Sequence, residues 1–457
     1  MLVTPLIGRF SALPLCYCFI LILSLLSAPS DAAVPAKPTT SLTLAQAAER
    51  VLQQHPQLQV FDWRSQAAAT EQELALLKPD LTLALQAENL LGSGELSGVK
   101  RLELSVAISS VLELGNKPQA RIASASAQQA LVLAQRQASS LDLVGELTQQ
   151  FISVLTLQHQ LQLASDNLLL TEQALLQVKQ RVQQGAAPDA ELLRAKVAVR
   201  QAQLQQGLRQ AELESSKLAL ASMWGAQQAD FDQVSGDLWL LTDSVAFPLL
   251  YQRLLATPQL EVFAATARLQ QAQLAQLQTQ SVADVSWQLG IKRSQENRDI
   301  ALIAGFSVPL LNQQRQQGAV KIALAEQQAQ RLNQQSAVLQ LRARLYQAWQ
   351  QHRYSSLLVR DLKREILPLL TQALAQTEAA YLLGRYSYAD WLSARQALQE
   401  AQLQLLDAAS TALRNQALIE QLSGLPLADN SSLPRPSQHK NMSFSSSTAM
   451  ATEGSLP

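Results

Sequence analysis

The residues of this chain that could make or break bonds, or hold a metal ion, are few and scattered. The four histidines are His55, His159, His352 and His439, far apart in sequence. His439 has Met442 and Met450 near it as soft donors, but at irregular spacing and with no cysteine, a poor pattern for a transition metal. Gly115-Asn116-Lys117 lacks the glycine spacing and the strand–loop–helix context of a phosphate loop. His55 precedes Pro56 at a helix bend and reads as a cap; His159 and His352 lie on long helical stretches as surface or seam residues. No nucleophile–base pair is evident. The expectation is a chain that is not an enzyme, with no catalytic residue, no cofactor and no metal ligands.

Composition narrows the class. The 457 residues carry a formal net charge of zero, which argues against a nucleic-acid partner. Charged residues make up 16% and aromatics 5%, both low, and Ala, Leu and Gln fill the difference. Such a chain forms helices readily but has few large anchors for a thick core, so thin layers of packed helices are expected. Residues 1–32 read as a secretory signal: Arg9 before an apolar run from Leu13 to Leu26, then small residues with cleavage expected near Ala32 or Ala33. Cys16 and Cys18 both lie inside it, so the mature chain has no disulfide. Lipidation at Cys16 is disfavoured by bulky Leu15. No other stretch has the length and apolarity of a membrane helix.

The elements that must position the polar residues come twice. His55-Pro56-Gln57-Leu58 returns as Thr257-Pro258-Gln259-Leu260, and Arg121-Ile122-Ala123 as Lys321-Ile322-Ala323. Gly185, Ala195, Ala202-Gln203-Leu204-Gln205 and Gly225 return at one common offset as Gly384, Ala394, Ala401-Gln402-Leu403-Gln404 and Gly424. The first repeat spans 42–225, a linker 226–247, the second repeat 248–424, and a Ser/Pro/Asn-rich tail 428–457 reads as disordered. Each repeat reads as helix, two strands, long helix, turn, helix. Helices are expected at 42–78, 116–184, 189–224, 248–280, 315–383 and 388–422, with Pro188 at the first position of its helix. Pro368, with no counterpart in the first repeat, should kink or break the second long helix.

Four stretches alternate with period two, at about 81–91, 99–109, 285–293 and 299–308. Leu83, Leu85, Leu104, Val106, Leu289, Ile291, Leu302 and Phe306 fall on apolar faces. Thr82, Gln86, Glu88, Arg101, Glu103, Ser105, Gln288 and Lys292 fall on the opposite, polar ones. At about nine to eleven residues each, these strands match a tilted bilayer crossing, with lipid outside and water inside. Four strands cannot close a barrel, but three chains give twelve. The long helices, at ~1.5 Å per residue, would reach ~100 Å each, and the shorter ones stack in pairs to the same length. Residues 226–246 and those after 424 would form a belt where the short helices meet. The fold class is thus α+β: a duplicated unit contributing four strands to a trimeric twelve-stranded barrel, continued by a long helical tunnel.

At these residues the chain resembles the TolC-like outer-membrane efflux family over about 42–425. In that family the helical tips carry a glycine and, six residues on, an acid; Gly185 with Glu191 and Gly384 with Asp390 match, and Asp189 adds a further acid. The resemblance implies a homotrimer in the outer membrane of a Gram-negative bacterium, with its helices in the periplasm. It implies as partners outer-membrane lipid, a periplasmic adaptor and an inner-membrane pump of the RND type. Glu191 or Asp390 in threefold copy would ring a narrow mouth, drawing cations and sealing against Arg181, Arg194, Arg385, Tyr386 or Tyr388. Equally, these acids could simply cap helix N-termini. Glu113-Leu114-Gly115-Asn116-Lys117 followed by Ala120-Arg121-Ile122 is similar to the heavy-metal branch, with Asn116 and Pro118 departing from its pattern. Metal cations are therefore the expected cargo, with organic solutes or secreted polypeptides as the alternative. A periplasmic coiled-coil adaptor or scaffold is the competing class.

Overall fold

The structure is a computed structural model that describes residues 41–310 and 313–424. It opens with β1 (Ser41–Thr43), α1 (Leu44–Gln54) and α2 (Pro56–Leu76). The helical stretch expected at 42–78, with a turn or kink at Pro56, is thus two helices behind a short strand. Thr43 caps α1 in a capping box with Gln46. Pro56, lacking an N–H, starts α2 rather than continuing α1. His55 Nδ1 accepts from the Gln57 N–H at 3.1 Å, so His55 is the cap that its place before a proline suggested.

The hairpin β2 (Thr82–Glu88) and β3 (Glu103–Leu112) follows, then α3 (Lys117–Gln183), whose 67 residues reach about 100 Å. Next come α4 (Asp189–Ser222), β4 (Gln233–Ser235), α5 (Phe247–Leu254) and α6 (Pro258–Thr279). The helix expected at 248–280 is therefore also split, before Pro258. Pro188 takes the cap position of α4, one residue earlier than expected. The second repeat continues with β5 (Val285–Ser294), β6 (Ile300–Ser307), α7 (Gln313–Asp361), α8 (Leu367–Leu382) and α9 (Tyr388–Ser423). A π-helical turn, Leu362–Ile366, joins α7 to α8 directly ahead of Pro368. There the Leu367 N–H reaches back to the Leu362 carbonyl. The wider turn accommodates the proline ring, so the helix is re-registered rather than ended.

The four long strands make one antiparallel sheet in the order β2-β3-β5-β6. Register aligns Leu85, Val106, Ile291 and Leu302 in one row across all four strands, and Leu83, Ile108, Leu289 and Ala304 in another. Helices follow the same order beside it: α2 packs on α3, α3 on α6, and α6 on α7. Further along α3, α4 takes the place of α6, so two shorter helices flank successive stretches of one long one. From α7 into the π turn, Leu345, Ala348, His352, Ser355, Val359 and Leu362 are buried at alternating steps of three and four, a coiled-coil seam facing α9.

Between α4 and α5 the chain is less irregular than its sequence suggested, because β4 pairs in parallel with β1. Three-residue strands are too short to show a period in sequence. The segment packs on the middle of α3: Val234 N–H donates to Gln158 Oε1 at 3.1 Å, and Phe231, Val234 and Leu238 join the largest apolar core. The signal-like segment with both cysteines, and the tail after Gly424 with His439, Met442 and Met450, lie outside the described residues.

Candidate functional site

Two regions carry the polar residues singled out above: the turns between the paired helices, and the polar face of the sheet.

The two turns are built alike. Gly185 (φ +72°) and Gly384 (φ +75°) take left-handed backbone that favours glycine. In the first, Gly185 N–H bonds to the Val182 carbonyl and Ala186 N–H to that of Arg181; in the second, Gly384 bonds to Tyr381 and Arg385 to Ala380. Both are Schellman closures, which satisfy the last carbonyls of the incoming helix.

The acids that follow part ways. Asp390 accepts from Ser387 N–H at 3.0 Å and from Ser387 Oγ at 2.7 Å, completing a capping box at the start of α9. Those hydrogen bonds hold its carboxyl below the usual carboxylate range. The first repeat has Pro188 at the corresponding cap, which has no side-chain donor and no N–H. Glu191 is left without a capping partner there and accepts instead from the Tyr381 hydroxyl, at 3.0 Å, on the other hairpin. Asp390 thus takes the cap, while Glu191 links the hairpins through Tyr381, which was not among the partners expected for it.

Around that bond sits a small core. Tyr381, Tyr388 and Trp391 are buried, with Tyr381 stacked on Trp391 at 5.1 Å between centroids and Tyr388 edge-on to both. Burial, and then the Glu191 hydrogen bond, push the Tyr381 phenol up from its ordinary pKa, and burial does the same to Tyr388. Arg181 lies over the Tyr381 ring at 4.5 Å and donates to the carbonyls of Tyr381, of Leu382 at 2.9 Å and of Ala186 at 3.3 Å. Arg395 lies over Trp391 and donates to Thr171 Oγ1 at 2.7 Å, again joining the hairpins. Of the residues expected here, Arg181 is engaged and Tyr388 is in the core, while Asp189, Arg194, Arg385 and Tyr386 lie exposed. Tyr381, Trp391, Arg395 and Thr171 were missed. One available signal was the Tyr381–Tyr388 spacing of seven, which straddles the turn and returns both rings to the hairpin interior.

On the sheet, Thr82, Gln86, Glu88, Glu103, Ser105, Gln288 and Lys292 share the face opposite the apolar rows. Arg101 lies just outside β3, where it pairs with Glu296 at 3.0 Å. The apolar face is bare, with Leu85 76% and Leu302 85% exposed. Among the described residues, no helix is long and apolar enough to cross a membrane.

The Glu113–Arg121 motif is a joint. Arg121 meets the Glu113 carboxylate in a fork, at 2.7 and 3.3 Å, and donates to the Ala75 and Leu77 carbonyls at the end of α2. Lys117 Nζ and the Leu114 N–H both reach Asp284 Oδ1, at 2.6 and 3.1 Å, on the connector into β5. Asn116 has φ +59°, a left-handed conformation that Asn tolerates, and Pro118 sits in the first turn of α3. Both departures from the family pattern are therefore conservative.

The described histidines are structural. His352 is buried, with Nδ1 3.0 Å from the Ala412 carbonyl and Nε2 3.1 Å from that of Thr242, and His159 packs edge-on against Trp239. Among the described residues no three of His, Cys, Asp and Glu gather as a metal site.

With this geometry in hand, similarity to known proteins is informative. The chain is 26% identical over 314 residues, 68% of its length and 75% of the relative's, to the cobalt-zinc-cadmium resistance protein CzcC of Cupriavidus metallidurans. Its fold matches the crystal structure of CusC with a TM-score of 0.70 at 19% identity, covering 84% of this chain and 92% of the other. It matches the outer membrane protein VceC of Vibrio cholerae with a TM-score of 0.66 at 17% identity, covering 84% and 97%. Residues 47–226, nearly the whole first repeat, match the outer membrane efflux protein family. The second repeat carries the same unit again, and the likeness in fold to these solved structures spans both repeats.

Proposed function

We propose that three copies of this chain form an exit duct that passively carries heavy-metal cations. An inner-membrane pump of the RND type would deliver them through a periplasmic adaptor. One observation carries the duct: a four-stranded sheet with one bare apolar face, one charged face and both edge strands, β2 and β6, without a partner among the described residues. An isolated sheet of this kind is unstable in water and in lipid alike, and closure with neighbouring copies removes both edges. The helices beside it support the same closure. α2 exposes Val60, Trp63 and Leu74 and α7 exposes Ile322, Leu332 and Leu339, at the two ends of the α2-α3-α6-α7 order. A soluble adaptor or scaffold leaves those faces unexplained.

In this reading Thr82, Gln86, Glu88, Arg101, Glu103, Ser105, Gln288 and Lys292 line the water-filled lumen. The tips form the periplasmic gate, held shut by the Glu191–Tyr381 link and the core behind it. Opening parts the two hairpins, an element shift driven by partner docking. The heavy-metal cargo rests on the similarity to CzcC and on the Glu113–Arg121 motif. Metal export does not require the conduit to ligate its cargo.

The test is single-channel recording of the purified mature protein in planar bilayers, wild type against Glu191→Ala. Small cation-selective conductance that grows in the variant supports a duct gated at its tips. A protein that stays soluble without detergent and never inserts overturns it. For cargo, cells lacking their own duct should regain zinc, cobalt or cadmium tolerance when this chain is supplied with its pump and adaptor.

A further inference from the structure

Glu88 and Glu103 are directly paired across β2 and β3, two like charges facing each other on the polar side of the sheet. Such a pair is unfavourable by itself. Lys292, one strand over on β5, lies opposite Ser105 and sends its ammonium diagonally into the gap. It contacts Glu88 Oε2 at 2.9 Å and also Glu103 Oε2. Gln86 Nε2 takes the other Glu88 oxygen at 2.9 Å. Alongside, Arg101 pairs with Glu296. These groups sit at the end of the strands joined by the 89–102 and 295–299 loops, away from the end joined to the helices. In the barrel reading, on which this inference rests, that end is the outer mouth.

We propose that Lys292 is a specificity-determining residue that sets the charge of the outer mouth by masking Glu88 and Glu103. With Lys292 in place the trio carries one net negative charge per chain; without it, two. Around a trimer that difference is three charges: three negative charges on the trios with Lys292 in place, six without it. A ring of bare carboxylates draws cations in but also holds them, and conduction requires that an ion can leave. Masking by Lys292 keeps the exit cation-tolerant without making it a trap. This control is separate from the tip gate, which lies at the far end of the helices.

The test is the cation-to-anion permeability ratio, from reversal potentials in a potassium chloride gradient across planar bilayers. All variants carry Tyr381→Phe, so that closed tips do not dominate. Lys292→Gln should raise the ratio roughly two- to fivefold, the factor a charge supplies through water at close range. Glu88→Gln/Glu103→Gln, which unmasks the lysine, should lower it. The triple variant should return close to the Tyr381→Phe parent. The opposite signs keep the test meaningful even if one variant folds poorly. An unchanged ratio in both Lys292→Gln and the double variant, with pores intact, overturns the inference while leaving the duct standing. A parent that forms no pore removes the barrel and this inference together.

Discussion

The Tyr381 hydroxyl donates to the Glu191 carboxylate at 3.0 Å, tying together two helical hairpins whose contributing residues lie 190 positions apart. Asp390, at Glu191's place in the other repeat, is spent on its own helix cap. The duplication has thus diverged at its tips: one acid fastens a helix end, the other fastens the two repeats to each other.

Removing the link should loosen the tips. Tyr381→Phe deletes a hydrogen bond to a charged group, about 1.5–3 kcal/mol, and so raises the open population roughly tenfold or more. Glu191→Gln should do less, because the amide oxygen still accepts from the phenol. Open probability in bilayers checks both. Equal, negligible effects would show that the tips are held by packing alone.

Packing behind the link is the next contributor. Trp391 is 3% exposed and stacks on Tyr381. Trp391→Ala should cost about 3–5 kcal/mol locally. Limited proteolysis should then cut at the 184–188 and 383–387 turns before anywhere else in the helices. Uniform protection would mean that neighbouring helices carry the tip core.

Asp390 gives the tips an acid limit. Its folded carboxyl lies below its unfolded value because Ser387 donates to it twice. A depressed carboxyl contributes stability that is fully present above the unfolded value near pH 4 and is lost as pH falls through the folded one. Amide exchange at Tyr388–Trp391 should therefore quicken on acidification below about pH 4. Asp390→Asn should exchange faster at neutral pH and lose that acid step. An acid step of the same size in Asp390→Asn would assign it to another group.

The joint between strands and helices should be sensitive to one methyl group. Gly115 has φ +77°, and a Cβ there would sit 2.8 Å from Val282 Cγ2. Gly115→Ala combines left-handed strain with that clash, a cost of about 1–3 kcal/mol. The expected sign is a lower melting temperature of the assembled protein in detergent, with little change in conductance. A large change in conductance at unchanged melting would mean that the joint takes part in gating.

Much of this was legible beforehand, for local reasons. Period-two alternation marked four long strands and the two faces within them, because side chains must alternate across a pleat, although Arg101, read as part of the second strand, lies outside β3. The glycines at 185 and 384 marked both turns because only left-handed backbone closes them so tightly. Pro368 announced a defect, although it appears as a π turn rather than a break, since the helix continues on both sides of it. Less was legible where partners are distant. β1 and β4 pair across 192 positions of sequence and are too short to show a period. Arg395 and Thr171 meet across 224 positions, and neither residue carries a local mark of the other.

What the sequence by itself determined is the repeating unit: its helices, its two-faced strands, its turns, and hence a chain whose sheet suits a membrane better than a soluble core. Those properties follow from periodicity and from backbone preferences, which act within a few residues. Only the tertiary structure decided which polar residue meets which. It set Asp390 on its own cap and Glu191 on Tyr381, placed Lys292 between Glu88 and Glu103, and made the Glu113–Arg121 motif a joint. Identical local patterns acquire different partners because pairing depends on distances between elements, and those exist only once the two repeats have packed together.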